Sequence, residues 1–470
     1  MSKLSIIPLL FIFSLSFLNA LEIRTEPEDY WLKTNSWGKT ITPSMAIESS
    51  LAASGLVGED LTLYKNKYEQ IIIKFRNDQG TSFQTLSAYE QGEFILNWIH
   101  YNILKNYIEE QTLMDVLIDT GNYNCVSSAV FYLILSRETG LNAEIIETSD
   151  HAFCTVNTEK GWIDVETTTA YGFNPGVKQE FQQAFNQTGY TYVPSGNYRN
   201  RQNISDKETV ALILQNRMSV LQKHNLHKQA VGLAIDRWTL ANTEKNYKDM
   251  NNSFRNWSAV LNNKASYSEA FYFLNDVSQK YNLNDENKDL LYDLAYNQVI
   301  FLTNNGNYNL ANIFLLKTET IIDDDDQNKL EELVIRDYLA DIVKNESYNI
   351  SLPLVRNAYK SGNISKSVWQ NWITVLHQNE ALLISKNEGW WNSWKFMESL
   401  PSEEKSLNSI KSSITHAHDN WSFEIHNRFA DLFNNRDFFK AEQLLQQGLS
   451  LDPDNKYLKK DLSDLKKIYP

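Results

Sequence analysis

Cysteine is almost missing from this chain: Cys125 and Cys154 are the two in 470 residues. A secreted fold stapled by disulfides carries more, so the stability must come from hydrophobic cores. Positive charge is also in deficit, with 44 Lys and Arg against 58 Asp and Glu, a net −14. Without a long basic block, such a surface repels phosphate backbones and anionic lipid, which argues against a nucleic-acid partner. Long apolar runs are scarce. The one near the start, Ile6 to Leu18, spans 13 residues, short of the ~20 a membrane-crossing helix needs. Lys3 before it and Asn19-Ala20 after it give the pattern of a cleavable secretory signal, residues 1–20. The expectation is an exported protein, periplasmic or extracellular, with no membrane span after signal cleavage. The acidic run Asp323–Asp326 lacks the ligand spacing and turn glycine of a calcium loop, and reads as a solvated loop between helices.

Apolar residues make up 42% of the chain, enough for substantial cores in a chain too long for one ordinary domain. Three zones follow the signal. Residues 21–170 mix helix and strand patterns. Residues 171–204 hold Pro175, Pro194 and several Gly, Asn and Tyr, and read as an irregular connector. From 205 to 470 glycine and proline thin out and apolar residues recur at helical spacing. Small residues at 230, 270, 311 and 351 recur at intervals of 40, 41 and 40, each followed by apolar helix. A fixed period of that size means stacked helical hairpins, with the small residue where two helices approach closely. The last copy, Asn434 to Asn455, resembles a tetratricopeptide repeat, with Ala441, Leu445, Gly448 and Pro453 at that motif's positions. The other copies are longer than its unit of about 34 residues.

Chemistry concentrates between residues 88 and 168. Ala88 to Tyr107 reads as an amphipathic helix with Phe94, Ile95, Trp98, Ile99 and Ile103 on one stripe. After the turn Asp119–Asn124, a buried helix opens at Cys125, with Asn124 as N-cap, and stops before Gly140. A helix N-terminus favours a thiolate and offers N–H groups to an oxyanion. Two strands follow, the first near Ala143–Glu147 and the second opening at His151. A turn over 157–160 then returns the chain through Trp162 to Thr168. A four-residue turn would set His151 directly opposite Glu166, with Asp164 two residues away on the same face.

Cys at a helix start, His on a strand and an acid on the next strand resembles the transglutaminase-like (papain-like cysteine) superfamily. The matching text includes Gly121–Cys125, Arg137–Ala143, Asp150–Phe153 and Trp162–Thr167. The stretch Val165–Gly176 is similar to exported bacterial members that join such a domain to helical repeats. The resemblance implies an α+β papain-like/transglutaminase-like domain over 21–170, followed by an all-α tetratricopeptide-like solenoid over 205–470. It implies a cysteine acyl-transfer enzyme without cofactor or metal, hydrolysing an amide or transamidating it through a Cys125 thioester. His151 would move the proton. Glu166, where the family usually has Asp, would orient the imidazole, with Asp164 as the alternative acid. The repeats would recruit a protein or peptide. Two rivals stand beside this reading: a catalytically silent protein whose solenoid does the binding, and a Cys125–Cys154 disulfide that would silence the thiol. His416, His418 and His426 lack the i, i+4 spacing of helical zinc ligands and read as surface histidines. Trp391 and Trp394 read as packing residues between repeats, and Ser127 and Ser128 as small packing residues.

Overall fold

The computed structural model describes residues 41–176, 178–194, 196–197 and 201–469. The expected signal segment lies outside the described residues. Among the latter, no helix is long and apolar enough to cross a membrane. The chain divides into two compact units, one closing at Leu294 and the other running from Ala295.

The first unit is organised around the helix Cys125–Glu138, which is buried along its whole length from Cys125 to Ser136. Such a helix needs cover on every side. It packs against the helices Pro43–Ala53, Ala88–Asn102 and Asp206–Lys223 and against two strands of a sheet. The strands are, in chain order, β1 (Asn106–Tyr107), β2 (Asn122–Tyr123), β3 (Ala143–Glu147), β4 (Ala152–Thr158), β5 (Gly161–Val165) and β6 (Gln202–Ile204). β1 and β2 form a two-residue parallel pair. The others make an antiparallel sheet of order β5-β4-β3-β6.

These strands are too few and too short for the expected α+β papain-like/transglutaminase-like domain. Of the described residues, 71% are helical and 6% lie in strands, and the fold is corrected to a helix-dominated one carrying a small sheet. The cause is local. Strand patterning is confined to the hairpins between Ala143 and Val165, and the residues around them carry helical periodicity instead. Among the described residues the strand added later to the sheet is β6, which closes the segment expected to be an irregular connector.

The register of the β4–β5 hairpin also differs from expectation. Thr158 pairs with Gly161 and Cys154 with Val165, so the turn has two residues, Glu159 and Lys160. Gly161 takes φ 94°, a conformation that closes a tight turn at little steric cost. The slip is two residues rather than one, so every side chain keeps its expected face.

The helical repeats are present. Hairpins Asp206–Lys223 with His227–Leu240, and Glu244–Asn263 with Tyr267–Lys280, belong to the first unit. In the second, helices from Tyr308 to Lys466 continue the series. Ala230, Ala270, Ala311, Ser351 and Ala441 each occupy the fourth position of their helix and are fully buried. A larger side chain there would force the helices apart. The acidic run proves to be a helix start, with Asp323 capping Asp324–Asn345 through a bond from the Asp326 N–H at 2.9 Å. Trp391 and Trp394 pack on Trp421 with ring centroids 4.7 and 5.9 Å apart. His418 and His426 bond Asp452 and Asp461, and no cluster suited to a metal ion occurs among the described residues.

Candidate active site

Cys125 is the first residue of its helix, and its neighbours explain why the helix starts there. The Asn124 side-chain oxygen accepts from the Val126 and Ser127 N–H groups, each at 3.0 Å. Ser127 Oγ returns the favour by accepting from the Asn124 N–H, a closed capping box. Asn124 Nδ2 donates to the Glu109 carbonyl at 3.0 Å, which ties the cap to the chain beyond β1. With two of the first N–H groups taken by Asn124, the backbone donor left beside the sulfur is that of Cys125 itself.

His151 sits at the entry to β4. A tight turn holds it there: the Thr148 N–H donates to the His151 carbonyl at 2.8 Å, and the His151 N–H to Thr148 Oγ1 at 3.1 Å. The ring is buried, stacked under Tyr190 with centroids 4.7 Å apart and edged by Phe185 at 5.5 Å. Both aromatics come from the segment read as a connector, so sequence reasoning missed them. An aromatic cluster in a glycine- and asparagine-rich stretch was the available signal.

Glu166 follows the end of β5 and is fully buried. Its Oε2 lies 2.7 Å from His151 Nε2. Its Oε1 accepts from the Thr168 N–H at 3.1 Å and from Thr168 Oγ1 at 2.7 Å. Continuing the strand register would set Glu166 opposite Phe153, two residues from His151. The acid therefore reaches its histidine along a diagonal, and the extra methylene of Glu spans an offset that Asp would leave open.

The loop that carries Glu166 is fastened to the Cys125 helix. Ser128 Oγ and Thr167 Oγ1 are 2.8 Å apart, and Tyr123 Oη donates to the Thr168 carbonyl at 3.0 Å. His100 Nε2 meets the Thr167 carbonyl at 3.0 Å. Burial pushes the His100 pKa down to about 4, so it is a neutral donor here. Ser128 thus supports the acid loop as well as packing.

Asp164 serves elsewhere. Its carboxylate takes two bonds from Arg201, at 2.8 and 2.7 Å, and one from Tyr192 Oη at 2.7 Å. It closes the connector onto the sheet and leaves His151 to Glu166. We expect Asp164→Asn to lower stability by about 3 kcal/mol, because Arg201 loses its buried partner, while Cys125 reactivity changes less than about twofold. Thermal unfolding and thiol alkylation rates on the same sample check both parts.

The charge balance at His151 follows from these contacts. Burial opposes the imidazolium, but the Glu166 carboxylate and the facing Cys125 sulfur outweigh it, and the pKa is raised to about 10. Nδ1, the ring nitrogen that Glu166 does not hold, is buried without a hydrogen-bond partner. Cys125 and His151 line one cleft of about 200 Å³, together with Tyr190, Asp150 and one face of Asp206–Lys223, notably Gln215 and Ser219. Both cysteines are free thiols. Cys154 is sealed in β4, its thiol 3.1 Å from the Ala129 carbonyl and its pKa raised by burial. Trp162, which carried part of the resemblance, is nearly half exposed on β5.

No protein-family model matches the chain, and no curated protein does. Among solved structures, the chain is similar to menin, described as revealing the binding site for Mixed Lineage Leukemia (MLL) protein. The identity is 13%, over 74% of this chain and 89% of that one, with a TM-score of 0.30.

Proposed function

We propose that this protein is a thiol-dependent acyl-transfer enzyme acting on an exported protein or peptide. The observation that carries the reading is the two-sided environment of His151: Nε2 is held by Glu166 at 2.7 Å, while Nδ1 is buried, unpartnered and in the cleft of Cys125. A buried imidazole nitrogen without a partner is costly, and a proton exchanged with a neighbouring thiol gives it a use. Cys125 adds to the substrate carbonyl and His151 protonates the leaving amine. Water or a second amine then releases the acyl group from sulfur. The Cys, His, acid order that underlies the resemblance to the transglutaminase-like superfamily supports the same chemistry. The helical repeats recruit the partner that carries the scissile amide.

The test is alkylation of the folded protein with iodoacetamide at neutral pH, mapped by mass spectrometry. Cys125 should label at least about tenfold faster than an unstructured cysteine peptide, and buried Cys154 should stay unlabelled until the protein unfolds. Cys125→Ala should lose both the label and any thioester adduct. Labelling of Cys125 no faster than the peptide would sink the enzyme reading and leave a binding protein whose solenoid does the work.

A further inference from the structure

The acyl-transfer reading leaves the chemistry of the substrate open, and the charges around Cys125 narrow it. Glu109, Glu110, Glu147 and Asp150 all line the cleft, against one lysine, Lys223. The charge of a His151 imidazolium is offset by Glu166, on which it is held. Glu110 is paired with Lys223, and Glu147 with Lys245 at 2.5 Å. Glu109 and Asp150 remain in excess. Asp150 accepts from the hydroxyls of Thr148 and Ser149 at 3.4 and 3.3 Å, and these bring no charge to balance it. Both residues are exposed, so their carboxylates stay ionised at neutral pH.

Each of the two is fixed beside one of the reacting groups. The Glu109 carbonyl accepts from Asn124 Nδ2, and Asn124 is the cap on which the Cys125 helix begins. Asp150 directly precedes His151 in the turn that Thr148 holds in place. A separate observation shows that a ligand belongs here. His151 is 4% exposed, and its Nδ1 is buried without a partner in this same cleft. A substrate that meets Nδ1 and the Cys125 sulfur shares the cleft with both carboxylates.

One exposed carboxylate does little alone, because water and salt screen it. Several of one sign around a concave site act together, since low-dielectric walls focus their field. A cleft of about 200 Å³ is roughly 6 Å across, inside the screening length of ~8 Å at physiological ionic strength. The chain's net −14 adds to the field with the same sign. Whatever later releases the acyl group, its donor must enter this field first.

We propose that the acyl donor is a basic peptide, and that Glu109 and Asp150 select a Lys or Arg side chain beside the carbonyl that Cys125 attacks. The inference rests on the acyl-transfer reading and supplies its substrate class. Lys245 tempers the selection. It reaches from the helix Glu244–Asn263 to hold Glu147, yet its own side chain is half exposed. A substrate cation competes with it for that carboxylate, and removing it adds one more unpaired charge to the cleft.

Three esters with a common leaving group test the charge alone: the p-nitrophenyl esters of Nα-acetyllysine, Nα-acetylnorleucine and Nα-acetylglutamate. In each, the Cys125 sulfur bonds the acyl carbon, and p-nitrophenolate departs with the bonding pair and reports the rate. At low ionic strength kcat/KM for the lysine ester should exceed that for norleucine by about tenfold, with glutamate slowest. The ratio of lysine to norleucine should shrink in 1 M salt, where the screening length falls to ~3 Å. Glu109→Gln combined with Asp150→Asn should bring it within about twofold of unity, while Lys245→Ala should raise it. The ratio cancels any loss of activity common to both esters, so a variant that is merely less well folded does not imitate the effect. Equal wild-type rates on the three esters, or a ratio unmoved by salt and by the double variant, would overturn the inference. If Cys125 still labels fast with neutral iodoacetamide, that failure leaves the acyl-transfer reading standing. Cys125 inert to iodoacetamide would overturn that reading and this one with it, a result distinct from the others.

Discussion

Glu166→Gln is expected to lower acyl transfer by about 10³-fold while the protein remains folded. The side chain is isosteric, so packing around the buried site is preserved and Thr168 still has an amide or oxygen to bond. What disappears is the charge that holds His151 as an imidazolium with Nδ1 turned to the thiol. Removing the corresponding acid from a Ser–His–Asp triad by the same kind of change costs about 10⁴-fold through loss of the correct tautomer.

The pH dependence gives the prediction a sign. The His151 pKa is raised to about 10 by Glu166 and the facing sulfur against the effect of burial. A raised pKa means that its contribution to stability is complete below the unfolded value near 6.5. It is lost as pH climbs through about 10. The alkaline limb of the rate profile should fall in the same region, because the proton needed by the leaving amine is then gone. In Glu166→Gln the carboxylate no longer supports the cation, and burial pulls the limb to lower pH. A pH–rate profile of wild type and variant, with unfolding midpoints at each pH, reads both effects. An unshifted alkaline limb would show that the acid does not govern this histidine. Glu166→Asp is an informative companion: it keeps the charge but shortens the reach across the diagonal, so activity should fall although the carboxylate remains.

Much of this site could be read from residues close together in sequence. Asn124 before an apolar helix announced the cap, and the hairpin signals from Ala143 to Val165 placed His151 and Glu166 on one face. The small residues at 230, 270, 311 and 351 announced the helical pairs that bury them. The errors arose where distant segments decide. Strand patterning says that a hairpin forms, but the extent of the sheet depends on which remote segments add to it, and Gln202–Ile204 is the strand that does so among the described residues. The turn length turned on Gly161 closing a two-residue loop, a backbone property that leaves the facing of side chains unchanged. Tyr190 and Gln215 reach the site from elements 39 and 64 residues beyond His151; aromatic clustering is the one local hint of Tyr190, and no local pattern marks Gln215. Asp164 and Glu166 are alike in sequence, and what separates them is Arg201, which reaches across 37 residues to claim one of the pair.

The most disruptive single methyl group in the first unit should be the one added by Gly172→Ala. The acid loop turns back on itself so that the Glu166 N–H donates to the Gly172 carbonyl at 2.8 Å, while the Gly172 N–H donates to the Thr169 carbonyl at 3.1 Å. A Cβ at position 172 would stand 1.8 Å from the Glu166 carbonyl oxygen and 2.9 Å from Glu166 Cβ. No side-chain rotation relieves the first contact, because the obstructing atom is backbone. The loop must open or the Glu166 backbone must retreat, and overpacking of this kind costs about 3 kcal/mol. The displaced residue is the one that holds His151, so stability and chemistry should fall together. We expect a lower unfolding midpoint, an alkaline limb shifted down as in Glu166→Gln, and acyl transfer reduced at least tenfold in the fraction that folds. Gly161→Ala in the hairpin turn is the control. It strains a position at φ 94° but meets no neighbouring atom within 4 Å, and should cost stability with little change in the pH profile. Equal effects of the two substitutions on that profile would mean that Gly172 matters for the fold alone.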